Sequence, residues 1–206
     1  MTPNAAGSVC TWRSSRLPGD STARRIGHHC QMDGSAARED WGRRLAAIDW
    51  ASYRTAYGPA DEVPTLLSAL RFGSGDAPPK AAGRLHDCLC HQRAFVSSAA
   101  LPAFPFIAEV LASHASDRGT GRADDKRDFV AEELLEIVFG FAECTSPAYY
   151  AHSRIIQGNP SEPPEWMIEL RAETKYLGEL LAWWAKEGSS EESELAIWAL
   201  DQLKDE

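Results

Sequence analysis

The sequence predicts an all-α protein whose helices stack against one another. Between Trp50 and Leu111 it contains three segments with apolar residues at helical spacing, separated by glycines and prolines that interrupt regular structure. The first apolar stripe follows the i, i+3, i+4, i+7 pattern and is formed by Val63, Leu66, Leu67 and Leu70. Because no helix can bury such a stripe alone, we expect neighbouring helices to cover it, as in an α-solenoid.

The boundaries of these helices are marked by residues with restricted or unusual backbones. Pro64 suits a first helical turn, where its missing N–H has no partner to lose. Gly73, Gly75 and the Pro78–Pro79 pair end the first helix and begin the second. The second and third apolar faces are formed by Ala81, Leu85, Cys88 and Leu89, and by Leu101, Phe104, Ile107, Ala108 and Leu111.

Three stretches resemble bacterial HEAT-repeat-like proteins: AYGPADEVPTLLSAL, HDCLCHQ and FPFIAEVL. In that family a Tyr-Gly turn leads into a leucine-rich helix, and a His-Gln pair precedes a helix that starts with Pro-Phe. The resemblance covers Trp50 to Leu111 and departs from the family pattern at Arg93, where Gly is usual. It implies a HEAT-like helical-repeat solenoid that binds other macromolecules, with no catalytic residue to carry over.

The first 32 residues differ in composition from the rest of the chain. They are rich in Ser, Gly and Arg without a sustained apolar period, which predicts a flexible, disordered tail, and Met32 offers an alternative natural start. They also lack an apolar run long enough for a signal peptide or a membrane span. The tail holds four arginines and one aspartate, so residues 33–206, which we predict to form one domain, carry 17 basic and 29 acidic side chains.

A further helix is predicted before the first repeat. Ser35 is the expected N-cap, and Trp41, Leu45 and Ile48 lie in helical register behind it. We expect the same helix to continue to Gly58, with an inward stripe of Trp50, Tyr53 and Tyr57 that packs beneath the first repeat. The alternative is a stripe that stacks on a ligand.

The middle of the chain alternates between polar and apolar segments. Residues 114–126 are polar and contain two glycines, which predicts a disordered loop. A helix follows, with an apolar face of Val130, Leu134, Ile137, Val138 and Phe141. Residues 146–166 are predicted to be irregular because Pro147, Pro160, Pro163 and Pro164 interrupt them.

The C-terminal part is predicted to be a helical hairpin. One helix from Glu165 to Lys186 ends at Gly188, and Ser189 or Ser190 opens the last helix with Glu192 or Glu194 as the capping-box acid. The expected inward residues are Trp166, Leu170, Leu177, Leu181, Trp184, Leu195, Trp198, Ala199 and Leu203.

The sharpest chemical motif is the segment His86–His91, which holds two cysteines and two histidines. Such groups are zinc ligands, but positions 86, 88, 90 and 91 of one helix point in different directions, with Cys88 buried and Cys90 facing away. We therefore predict no metal and no cofactor here. An enzyme, or a helical protein that binds a metal or small ligand through His86–His91, is the alternative function.

Catalysis by a cysteine or by paired carboxylates is disfavoured. Neither Cys90–His91 nor Cys144 with His152 carries a local nucleophile signature, and the cysteine spacing fits a reducing, cytoplasmic compartment without disulfides. The carboxylates at helical spacing are expected on solvated faces, with Arg171 and Lys175 near the second group: Glu132, Glu133 and Glu136, and Glu169 and Glu173.

The charge distribution predicts a basic protein partner rather than nucleic acid. An excess of acidic residues opposes phosphate binding, and the basic group Arg38, Arg43 and Arg44 is small. Residues 162–206 hold twelve acids and four bases, more than a polar cap requires. We predict non-catalytic protein binding, for example by an immunity-type protein masking a basic bacterial toxin, through Trp183, Glu191, Glu192 and Glu194.

Overall fold

Helices dominate the computed structural model, which describes residues 34–91, 95–121, 125–157 and 162–204. The prediction of an all-α fold is confirmed for this part of the chain. The described α-helices are α1 Gly34–Ala46, α2 Val63–Phe72, α3 Ala77–Leu89, α4 Ala100–Gly119, α5 Asp125–Cys144, α6 Pro147–Gln157, α7 Glu165–Lys175, α8 Gly178–Glu187 and α9 Ser190–Gln202. The predicted tail and the departure at Arg93 lie outside the described residues.

Two short antiparallel ribbons accompany the helices. Strands β1 (Arg54–Thr55) and β2 (Gly58–Pro59) pair before α2, and β3 (Cys90–His91) and β4 (Phe95–Val96) pair between α3 and α4. The Ser97 amide donates to the Leu89 carbonyl at 2.9 Å, so the second ribbon is held against the end of α3.

The helices pack as sequential pairs, α2 with α3, α4 with α5, and α8 with α9. Contacts between pairs join α3 to α5 and α5 to α9 on one side, and α2 to α4 and α4 to α7 and α8 on the other. Helix α5 therefore has neighbours along much of its circumference. Its predicted apolar face is confirmed, since all five predicted side chains on it are buried.

Helices α5 and α9 run parallel, and a different arginine side chain links them near each end. Near both N-termini, Arg118 Nη2 donates to Asp128 of α5 at 2.5 Å and to Glu192 of α9 at 2.8 Å. Near both C-termini, Arg171 of α7 donates to the Ala142 carbonyl at 3.3 Å and to the Gln202 carbonyl at 3.0 Å. A cation that binds the last carbonyls of two helices also complements the negative ends of their dipoles.

Helix α1 ends earlier than the sequence predicted. It stops at Ala46, and Trp50 turns back so that its Nε1 donates to the Leu45 carbonyl at 2.9 Å. The chain then forms the first ribbon, because Gly58 has a φ of 143° and Pro59 disfavours a helical residue before it. The predicted aromatic stripe is therefore split: Trp50 is buried and Tyr57 is exposed.

Other boundaries also differ from prediction. Ser35 lies inside α1 rather than at its N-cap, and its hydroxyl donates to Glu39. Residues 114–119 are the end of α4, not a loop, since polar side chains cover one face while Ala115 is buried. Pro147 begins α6 instead of interrupting it, because proline is tolerated in a first turn.

The C-terminal hairpin contains one break that the sequence analysis missed. The predicted helix from Glu165 to Lys186 is two helices, α7 and α8, joined at Tyr176 and Leu177 and restarted at Gly178. A glycine is costly inside a helix, which makes this a favourable position for the break. No helix in the described ranges is long and apolar enough to cross a lipid bilayer.

Candidate partner-binding face

The last helix begins with the capping box that the sequence predicted. Ser189 Oγ accepts from the Glu192 amide at 3.3 Å, and Glu192 Oε2 accepts from the Ser189 amide at 2.6 Å. The other oxygen of Glu192 accepts from Arg118, and the residue is only 1% exposed. Its assignment as a partner-facing charge is therefore wrong, because every part of the carboxylate serves the fold.

Glu191 and Glu194, the neighbouring predicted residues, lie exposed on α9. Trp184 is buried as predicted, and Trp183 packs edge-on against it with ring centroids 5.0 Å apart. Trp183 is half-buried against the core, so less of its ring is available than an exposed anchor would offer. Its role in binding stays a prediction.

A second row of acids, on α5, joins those of α9. Glu132, Glu133 and Glu136 are half-buried and lie at helical spacing on α5. Burial raises the pKa of Glu132, and repulsion from Glu191 and Glu133 raises that pKa further. The three are thus less solvated than the sequence predicts: Glu132 lies near the acids of α9, whereas Glu133 contacts His86 of α3.

Replacing Glu132 with glutamine should raise the melting temperature (Tm) at neutral pH. The folded pKa of Glu132 lies above the ordinary 4.5, so its charge opposes folding increasingly as the pH rises from about 4.5 through the folded pKa. We expect a gain of at most a few degrees at pH 7, because solvent screens a half-exposed group, and no gain below about pH 4.5. Thermal melts across pH, with Glu169→Gln on α7 as the control, measure the difference. A gain that is independent of pH would contradict this electrostatic explanation.

An apolar patch lies further along the same two helices. Trp198 is 42% exposed, and its ring lies 5.7 Å from that of Phe139 on α5. Ile197 beside it is 51% exposed. The prediction that Trp198 points into the core is wrong, because Leu195, Ala199 and Leu203 already fill the inward side of α9.

The segment His86–His91 is not one helix. Helix α3 ends at Leu89, and Cys90 and His91 form strand β3. Cys88 and Cys90 are both buried, so the expectation that Cys90 faces away from the core is wrong. His86 Nδ1 lies 3.2 Å from Glu133 Oε2, whereas His91 Nδ1 lies 2.9 Å from the hydroxyl of Tyr57. The two histidines therefore have different partners.

The same segment offers no activated thiol at Cys88. Burial, together with the hydrogen bond that the thiol donates to Glu62 at 3.2 Å, raises the pKa of Cys88 to about 12. The hydrogen bond from Arg84 at 2.7 Å, followed by the one from Cys88, lowers the pKa of Glu62. A thiol with so high a pKa remains protonated at neutral pH and is a poor nucleophile. In the other proposed pair, Cys144 is buried and His152 is exposed, so the two side chains lie in different environments.

Among the residues that the structure describes, no group of three or more His, Cys, Asp or Glu side chains could hold a metal ion. The absence of a metal and of a cofactor stays a prediction for the whole chain. A cleft of about 360 Å³ lies between the α2–α3 turn and α4, and its polar lining is formed by Arg71, Ser74, Ser113, His114 and Asp117. Arg71 donates to Ser113 at 2.8 Å across it.

Comparisons with known proteins give no match. No protein-family model matches the sequence, and no curated protein or solved structure shows significant similarity to it. Among the described residues the architecture is that of an all-α protein in which α2–α3, α4–α5 and α8–α9 pack as sequential helix pairs.

Proposed function

We propose that the protein is a HEAT-like α-solenoid that binds a basic protein partner and catalyses no reaction. Three helix pairs support the solenoid, since their second helices contact one another in the order α3, α5, α9, with α6 and α7 lying between the last two pairs in the chain. In such an arrangement a row of parallel helices presents a broad surface that suits a macromolecular partner.

The observation that carries the proposal is the concentration of carboxylates where α5 meets α9. Glu132 lies close enough to Glu191 and Glu192 for their charges to disfavour its ionisation. Arg118 neutralises Glu192, but Glu191 is exposed beside it. A cationic partner would relieve the remaining repulsion, so complementary charge would favour binding on this face and speed the encounter.

Part of this charge has a structural explanation. Glu191 and Glu192 lie in the first turn of α9, where acids interact favourably with the positive end of the helix dipole. That explanation does not extend to Glu132, Glu133 and Glu136, which lie two or more turns into α5. Glu133 also contacts His86 of α3, whereas Glu132 lies among like charges, so Glu132 favours a role outside the fold.

The partner is a basic protein and the setting is a reducing cytoplasm. An immunity-type protein that masks a basic bacterial toxin is one concrete form, because masking requires affinity and complementary charge without chemistry. The excess of acids opposes a nucleic-acid partner. A reducing cytoplasm suits the thiols of Cys88, Cys90 and Cys144.

Replacing Glu132 of α5 and Glu191 of α9 with glutamine should slow association with the partner protein. Affinity capture on the purified chain, followed by mass spectrometry, identifies that partner, and stopped-flow mixing then gives the rate. For Glu132→Gln/Glu191→Gln we expect the association rate to fall about tenfold at low salt and to become less dependent on ionic strength. The matched control is Glu169→Gln/Glu173→Gln on α7, which removes the same charge from another exposed surface. Equal rates for both double variants would place the binding surface elsewhere.

A further inference from the structure

Helix α9 exposes large apolar side chains. Here Ile197 and Trp198 are about half exposed, and Trp198 rests on Phe139 rather than entering the core. We use the name α5–α9 face for the surface at which helices α5 and α9 meet. Its apolar part is formed by Phe139, Ile197 and Trp198, and its acidic part by Glu132 and Glu191.

The acidic and apolar parts of that face lie in register. The rings of Phe139 on α5 and Trp198 on α9 lie 5.7 Å apart, and seven residues earlier on the two helices Glu132 lies within range of the Glu191 charge. Each step, 132 to 139 and 191 to 198, is seven residues along parallel helices. At 1.5 Å per residue, the carboxylates and the aromatic rings are separated by about 10 Å along the face.

This separation distinguishes between two shapes of bound segment. Side chains on one face of a helix recur after seven residues, which is about 10 Å. Side chains on one face of a strand recur after two or four residues, at about 7 or 13 Å. A helix matches the spacing of the two parts directly, whereas the side chains of a strand would have to lean by about 3 Å.

We propose that the α5–α9 face binds an amphipathic helix of the basic partner. Its lysines or arginines would lie over Glu132 and Glu191, and a large apolar side chain seven residues away would cover Trp198 and Ile197. The inference rests on the proposed function and names the docking element of that partner. The apolar contact supplies most of the affinity and the charges set the orientation, since a helix placed the wrong way round would bring its apolar side chains over the carboxylates and its cations away from them.

Synthetic helices test the spacing directly. The first probe is an alanine-based peptide of about 18 residues with lysines in its first two turns and leucine and phenylalanine seven residues further along the same face. The second probe has the same composition with the apolar pair moved to the opposite face, and the third has the lysines alone. We expect the first peptide to bind the full-length chain about tenfold more tightly than the others, the scale of burying one large apolar side chain.

Variants of the protein identify the surface that binds. Trp198→Ala should lower the affinity for the first peptide to that for the second. Ile197→Ser provides an independent variant if the tryptophan change perturbs folding. Glu132→Gln/Glu191→Gln should weaken all three peptides. Equal affinity of the first two peptides, or indifference to both apolar variants, would overturn the helix inference. If lysine-only binding still depended on Glu132 and Glu191, the proposed function would survive that result. If no peptide bound the face at all, both would fail.

Discussion

Replacing Glu192 with lysine should cost about 5 kcal/mol of unfolding free energy, whereas the same replacement at Glu191 should cost less than about 1 kcal/mol. Glu192 is buried, accepts from Arg118 and closes the capping box with Ser189. The lysine would face Arg118 as a buried like charge and would remove the acidic half of the cap. Glu191 is exposed in the same turn and provides the matched control.

Urea unfolding followed by circular dichroism measures both variants at neutral pH. A total stability in the usual range of about 5 to 15 kcal/mol would leave the Glu192→Lys protein marginal or unfolded. Glu192→Gln keeps the size of the side chain but leaves one acceptor oxygen for two donors, the Ser189 amide and Arg118, so it should lose stability, though less than the lysine variant. Equal stability of Glu191→Lys and Glu192→Lys would mean that the bridge to Arg118 does not hold α9 in place.

Truncating Trp184 to alanine should destabilise the protein by about 4 kcal/mol, and truncating Trp183 should cost less than half as much. Trp184 is fully buried, and the guanidinium of Arg118 lies 5.4 Å from its ring centroid. Its removal would leave a cavity the size of an indole and expose the underside of the Arg118 bridge. Trp183 is half-buried, so water can replace part of its contacts.

Denaturant midpoints of the two single variants, and of the double variant, test this difference. The rings touch edge-on, so the two costs should not add. Comparable losses of stability for the two variants would contradict the structure, in which Trp184 is fully buried and Trp183 is half-buried.

The sequence was most informative where one rule determined the structure alone. The apolar stripe of α5 was predicted residue by residue, because a five-residue match to helical spacing on a long helix leaves few alternatives. The sequence offers two neighbouring serines as the N-cap, and the structure has the capping box formed by Ser189 and Glu192. Local chemistry decides both features.

Prediction failed where long-range contacts decide. The burial of Glu192 depends on Arg118, which lies 74 residues earlier in the chain. Trp198 fits a helical stripe equally well inward or outward, and only the packing of α5 against α9 places it at the surface. The break at Gly178 was visible in the sequence, but a single glycine does not reveal whether a helix tolerates it.

The candidate face itself combines predicted and unpredicted parts. Glu191 and Glu194 were selected from local charge, and both are exposed. Glu132 was interpreted as ordinary helix surface, since the sequence alone gives no sign that it lies beside Glu191. The parallel register of α5 and α9 creates the face, and that register is a property of tertiary packing.

Site-specific photocrosslinking tests most directly whether this face binds a basic protein. A photoreactive amino acid is introduced at Glu194 on α9, and at Glu169 on α7 as the control, in cells that make the full chain. We expect position 194 to capture a protein with net positive charge, and capture to weaken when Glu132 and Glu191 are glutamine. Equal capture at both positions, or capture of an acidic partner that is indifferent to those two substitutions, would contradict the account.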